Sequence, residues 1–109
     1  MVPQRAQLVQ TSTVTLPEST LALLGDTVAA RVLVTLARGE QRFGALHTAV
    51  GGSTKTIVAR LKELERAGLV TRTLYAEVPP RAVYRITDKG RELTAIIEGI
   101  ADWEQSWQK

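Results

Sequence analysis

Residues 53–70 read STKTIVARLKELERAGLV. At about 100° per residue, Ile57, Leu61 and Leu64 fall on one side of a helix, and Lys55, Ala59, Lys62 and Arg66 fall opposite. Ser53 is a natural N-cap, because its hydroxyl can accept from backbone N–H groups two or three residues on. Gly68 supplies a left-handed stop, so the helix runs to about Ala67. Immediately upstream, GALHTAVGG (residues 44–52) predicts a shorter helix from about Gly44 to Val50. It is buried through Leu46 and Val50, and Gly51-Gly52 breaks it from the next.

Downstream the period changes from helical to extended. Leu69–Tyr75 carries Val70, Thr71, Thr73 and Tyr75, residue types that favour strands. Pro79 and Pro80 cannot donate to a ladder and belong at a turn or a sheet edge. Val83–Ile86 reads as the returning strand, so the two runs form a hairpin with a proline-bearing tip. Arg72 and Leu74 share one face of the first strand, while Thr71, Thr73 and Tyr75 share the other. Thr87 or Asp88 caps a last helix in which Leu93, Ile96, Ile97, Ile100 and Trp103 form one apolar stripe, with Trp107 in line with it.

Toward the N-terminus, Pro17 and Glu18 suit the first turn of a short helix that ends at Gly25. Asp26 can cap the next helix, where Val28, Ala29, Val32, Leu33 and Leu36 recur at helical spacing and Gly39 ends the run. Gln41–Phe43 reads as a brief strand. Residues 1–17, rich in Gln, Thr and Ser without a helical period, read as a polar arm, leaving 18–109 as the domain. The order is helix, helix, short strand, helix, glycine break, helix, hairpin, helix. The fold class is therefore mainly α with a small β-hairpin (α+β), and the order describes a winged helix-turn-helix.

Composition narrows the function classes. At 109 residues, 44% hydrophobic and 23% charged, the chain fits one globular domain. Its longest apolar runs, such as Leu21–Leu24 and Val32–Val34, are far short of the ~20 residues of a membrane span, and no secretory signal is visible. A cytoplasmic protein with no membrane partner is the simplest reading. With no cysteine and only one histidine, His47, there is no basis for a disulfide, a metal site or another cofactor. No Ser/His/Asp grouping or phosphate-binding glycine loop marks an enzyme. Charge is uneven: nine Lys or Arg against four acids give residues 53–91 a charge of +5, while residues 1–52 carry +1 and residues 92–109 carry −3. A basic middle suits a polyanion, although ordinary solvated charge gives the same pattern.

In a helix-turn-helix the second helix enters the major groove, led by its N-terminal residues. Here Ser53, Thr54, Lys55, Thr56, Ala59, Lys62 and Arg66 form the leading end and outer face. Lys and Arg donate to guanine acceptors, Thr donates or accepts, and Ala leaves room for a thymine methyl. The helix start also suits a phosphate. The hairpin adds Arg72, Tyr75, Arg81 and Arg85; beside Pro79-Pro80, Arg81 could reach a minor groove, whose negative potential favours arginine. Each of these side chains, taken singly, could equally be solvated surface, except Lys55 and Thr56, whose place near the helix start favours contact. His47 reads as a polar surface or interhelical contact.

The run Gln41-Arg42-Phe43, Ser53-Thr54-Lys55 and Leu61 through Val70 resembles the HxlR family of winged-helix regulators. The likeness continues through Arg72, Tyr75, Val78-Pro79-Pro80, Val83-Tyr84, Ile86-Thr87, Gly90 and Leu93 to Trp103, and covers roughly residues 20–104. The resemblance implies homodimers built by the N- and C-terminal helices. It implies binding to palindromic double-stranded DNA operators, with the helix from Ser53 as recognition helix and the hairpin as wing. Arg42 would be a backbone contact or a brace for the third helix. Two departures stand out. Many members carry a sensing cysteine near the first helix, and none occurs around Thr13–Pro17. The family's Gly-Lys-Trp-like segment is replaced by Asp26-Thr27-Val28, which bears on any inherited pocket for a small-molecule effector.

A domain of this size cannot easily bury the last helix's stripe as well as the first two helices. Leu93, Ile96, Ile97, Ile100 and Trp103 are therefore expected to meet a second subunit. The alternative function is a winged-helix protein-interaction module without specific DNA binding, since fold alone does not fix function.

Overall fold

The computed structural model describes residues 15–108. Of the expected arm, residues 1–14 lie outside the described residues; Thr15, Leu16 and Pro17 are exposed and lead into helix α1 (Glu18–Leu24). The remaining elements are α2 (Thr27–Ala37), β1 (Gln41–Arg42), α3 (Phe43–Val50), α4 (Thr54–Arg66), β2 (Val70–Tyr75), β3 (Arg81–Ile86) and α5 (Asp88–Ser106). No single helix among the described residues is long and apolar enough to cross a membrane.

Helix α2 is the hub of the core. Asp26 caps it, accepting from the Ala29 N–H at 2.9 Å, which satisfies a donor that has no partner within the helix. Ala29, Val32, Leu33 and Leu36 are all at most 1% exposed. They pack with Leu46 and Val50 of α3, Ile57, Leu61 and Leu64 of α4, Val70 and Tyr84 of the sheet, and Leu93 of α5. The 3.6-residue spacing of these apolar positions is what lets each helix present a single buried stripe to that centre.

The sheet has three antiparallel strands in the order β1-β3-β2. Gln41 opposes Tyr84 and Arg42 opposes Val83, so the short β1 extends the hairpin. Phe43, expected to end that strand, instead begins α3. Its neighbour Arg42 stays extended at the helix N-cap, so the switch to helical geometry comes one residue earlier than the sequence predicts. The returning strand starts at Arg81 rather than Val83, because Arg81 and Ala82 pair with Tyr75 and Leu74.

Two glycines are required where α4 ends and α5 begins. Gly68 (φ 76°) ends α4 in a Schellman motif: its N–H donates to the Glu65 carbonyl at 3.0 Å and the Leu69 N–H donates to the Leu64 carbonyl at 2.9 Å. Gly90 lies where α5 meets that exit, and a Cβ there would overlap the Leu69 carbonyl oxygen and Ile86. Thr87 and Lys89 secure the same junction. The Thr87 hydroxyl donates to the Gly68 carbonyl at 2.7 Å and the Lys89 ammonium to the Ala67 carbonyl at 2.6 Å. Thr87, not Asp88, caps α5, accepting from the Gly90 N–H at 3.0 Å.

This docking divides the expected single stripe of α5. Leu93 is buried in the protomer's own core and Ile97 packs against it. Ile96, Ile100, Trp103 and Trp107 point away and are 51–72% exposed. The five-residue stripe is wider than one neighbour can cover.

Candidate nucleic-acid interface

Helices α3 and α4 meet across Gly51 and Gly52, both at positive φ (78° and 84°). His47 bridges the turn, its Nε2 lying 2.9 Å from the Gly52 carbonyl. A carbonyl can only accept, so Nε2 carries the proton. The ring also stacks on Phe43, with centroids 6.0 Å apart. Ser53 then caps α4: its Oγ accepts from the Thr56 N–H at 3.1 Å and donates to Thr56 Oγ1 at 3.0 Å.

The amphipathic pattern of α4 sets what faces outward. Ile57, Leu61 and Leu64 are inside, while Ser53, Thr54, Lys55, Ala59, Lys62 and Arg66 are exposed and Thr56 is half-buried. Among the described residues, none of Lys55, Lys62 or Arg66 forms a salt bridge. Their charges are thus fully available to a polyanion. Arg60, on the flank of the same helix, is engaged differently. Its Nε donates to Asp26 Oδ2 at 2.7 Å, fixing α4 against the corner between α1 and α2. Burial pushes the Asp26 carboxyl upward, but the Ala29 N–H and the Arg60 guanidinium outweigh it and hold it below its ordinary value. The Arg60 guanidinium is correspondingly raised by its hydrogen bond to Asp26.

The hairpin separates its arginines. Arg72 is exposed on the face shared with Leu74, and it borders a cleft with Val58, Lys62 and Glu65 of α4. That places Arg72 next to Lys62. Arg81 and Arg85 lie on the opposite face with Thr73 and Tyr75. Arg85 donates to Glu40 (2.7 Å), to the Thr73 hydroxyl (3.1 Å) and to the Tyr75 hydroxyl (2.9 Å). The Tyr75 hydrogen bond, with Glu40 behind it, raises the Arg85 pKa. Arg81 donates through Nε to both Glu77 carboxylate oxygens at 3.1 Å and lies 4.2 Å over the Tyr75 ring. Arg42 is exposed at the start of α3, at the far edge of the sheet from β2.

The structure therefore brings Ser53, Thr54, Lys55, Ala59, Lys62 and Arg66 onto one face, with Arg72 beside it. Arg81 stands apart in a paired state. Leu93 is largely buried in the core, reaching only the floor of a groove, whereas Ile96, Ile100 and Trp103 are open. Sequence reading missed the Asp26–Arg60 and Glu40–Arg85 pairs, whose members lie far apart in the chain. Glu77 and Arg81, four residues apart across the hairpin tip, were the one signal available. An open groove of about 780 Å³ lies between α1, the end of α4 and the start of α5, lined by Leu23, Ala67, Leu93 and Ile96 among others.

A helix-turn-helix followed by a two-stranded wing on a three-stranded sheet defines a winged-helix protein of the DNA-binding, transcription-regulating class. The chain belongs to the HxlR-like helix-turn-helix family, whose model matches residues 23–109. An HTH-type transcriptional regulator of Methanothermobacter thermautotrophicus is 38% identical over 73 residues, 66% of this chain and 56% of that protein. The chain thus spans little more than half the length of that relative. The HTH-type transcriptional regulator YvaP of Bacillus subtilis is 35% identical over 91 residues, covering 83% of this chain and 84% of its own. Among solved structures, the reduced form of the transcriptional regulator YodB from B. subtilis superposes with a TM-score of 0.77. It is 29% identical, over 88% of this chain and 97% of that one. The 109 residues here contain no cysteine.

Proposed function

We propose that the protein is a homodimeric regulator that binds a palindromic operator sequence-specifically and acts in the cytoplasm on adjacent genes. One observation carries the reading: α4 turns a capped N-terminus and three cations, Lys55, Lys62 and Arg66, outward on a helix anchored by three buried apolar residues, and none of the three forms a salt bridge among the described residues. Such a surface supplies phosphate contacts for affinity and hydroxyl and cationic groups for base edges. The dimer is supported by Ile96, Ile100 and Trp103, whose exposure leaves a large apolar patch on α5. A two-fold pairing through that helix presents two copies of α4 about 34 Å apart, one turn of duplex.

The test is fluorescence anisotropy on the duplex upstream of the protein's own gene and on a scrambled duplex, at two salt concentrations. Tight selective binding that falls steeply with salt is expected. Equal, weak binding to both duplexes contradicts the reading.

A further inference from the structure

Two sets of cations on the motif contrast. Lys55, Lys62 and Arg66, on the outer face of α4, have no carboxylate partner among the described residues. The arginine at the wing tip is paired: Arg81 Nε meets both Glu77 oxygens at 3.1 Å, and its guanidinium carbon lies 4.2 Å above Tyr75. Tyr75 is itself held by Arg85, and Arg85 by Glu40. A continuous chain of contacts, Glu77–Arg81–Tyr75–Arg85–Glu40, therefore runs from the wing tip to the corner between α2 and β1. Arg81 opposes Tyr75 in the last register pair of the hairpin, and the tip beyond it, residues 76–80, is wholly exposed. A side chain at that position would otherwise be the most projecting cation of the wing.

A phosphate can approach Arg81 in two ways. It can displace Glu77, which breaks the ion pair. Or it can share the guanidinium, which brings a phosphate and a carboxylate within a few ångströms of each other. Either route offsets most of the gain from the new contact. We infer that Glu77 is an internal competitor for Arg81: it neutralises the wing tip and suppresses sequence-independent phosphate binding there, so that discrimination rests on α4. Specificity obtained by weakening wrong contacts is a general device. This inference rests on the DNA-binding reading above.

The experiment compares the unsubstituted chain with Glu77→Gln, Arg81→Ala and the double variant, on the upstream duplex and on the scrambled duplex, across a salt series. Glu77→Gln keeps size and hydrogen bonding but removes the charge. It is expected to tighten scrambled-duplex binding by about two- to fivefold, the range of an exposed ion pair. The slope of log K against log salt is expected to steepen by about 0.9, the value for one further phosphate contact. Both gains disappear when Arg81 is also alanine. Unchanged binding in Glu77→Gln overturns the inference. So does a gain that persists in the double variant, since that is only the loss of a negative charge near DNA. Failure of the unsubstituted chain to bind any duplex at low salt is read first, and it overturns the DNA-binding reading itself.

Discussion

Replacing Asp26 probes the joint that fixes α4, because one carboxylate there performs two tasks. Its Oδ1 caps α2 through the Ala29 N–H, and its Oδ2 accepts from Arg60 at 2.7 Å. Loss of an Asp cap costs about 0.5–2 kcal/mol. The ion pair is open to solvent, with 30% and 25% of the two side chains exposed, and adds little to that. Asp26→Ala is therefore expected to destabilise the protein by about 1–2 kcal/mol, with each kcal/mol lowering Tm by roughly 4–8 °C. Asn caps about as well as Asp, so Asp26→Asn removes only the charge and should cost a small fraction of that.

The sign of the pH dependence follows from the depressed pKa of Asp26. A carboxyl whose folded pKa lies below its unfolded value of about 3.9 stabilises the fold above that pH. The contribution is lost as pH falls through the folded value. Urea unfolding at fixed protein concentration, at pH 7 and in acid below about pH 4, measures both quantities. The difference between Asp26→Ala and the unsubstituted protein should narrow in acid. A cost below about 0.3 kcal/mol at pH 7, less than the loss of a cap entails, or a difference that stays constant into acid, refutes the reasoning.

Other expectations follow from single contacts. Ile100→Asp places a charge in the exposed face of α5 and should yield monomers with weak DNA binding; sedimentation showing an intact dimer would count against that face. Lys55→Ala should weaken operator binding by ~1–3 kcal/mol if Lys55 reads a base, and an unchanged titration removes it from the contact set. Gly90→Ala forces a methyl against the Leu69 carbonyl and Ile86. It should cost about 1–3 kcal/mol, as overpacking does, and a neutral result in thermal unfolding would show that α5 can shift.

What sequence could and could not convey depends on the range of each interaction. The faces of α4 were legible because a single helix with one capped end and a glycine stop fixes its own angular pattern. The same holds for Asp26, Ser53 and Thr87, whose capping partners lie three residues away. The α5 stripe was legible as apolar but not as two surfaces. Which of Leu93, Ile96, Ile97 and Ile100 meets the protomer's own core is set by the close approach of Gly90 to Leu69, a contact between elements. A hairpin arginine shows the same limit. Arg85 read as a free cation until the fold brings Glu40, 45 residues away, to within 2.7 Å. Phe43 read as strand because its residue type favours one, yet its place at the start of α3 follows from β1 ending against the edge of β3.

The measurement closest to the central claim is a hydroxyl-radical footprint of the full chain on the DNA upstream of its own gene. Two α4 helices presented by a two-fold dimer predict two protected segments related by a dyad, centred about one helical turn, or ~34 Å, apart. A lone protected segment, or protection without symmetry on DNA that the protein binds tightly, would contradict the account.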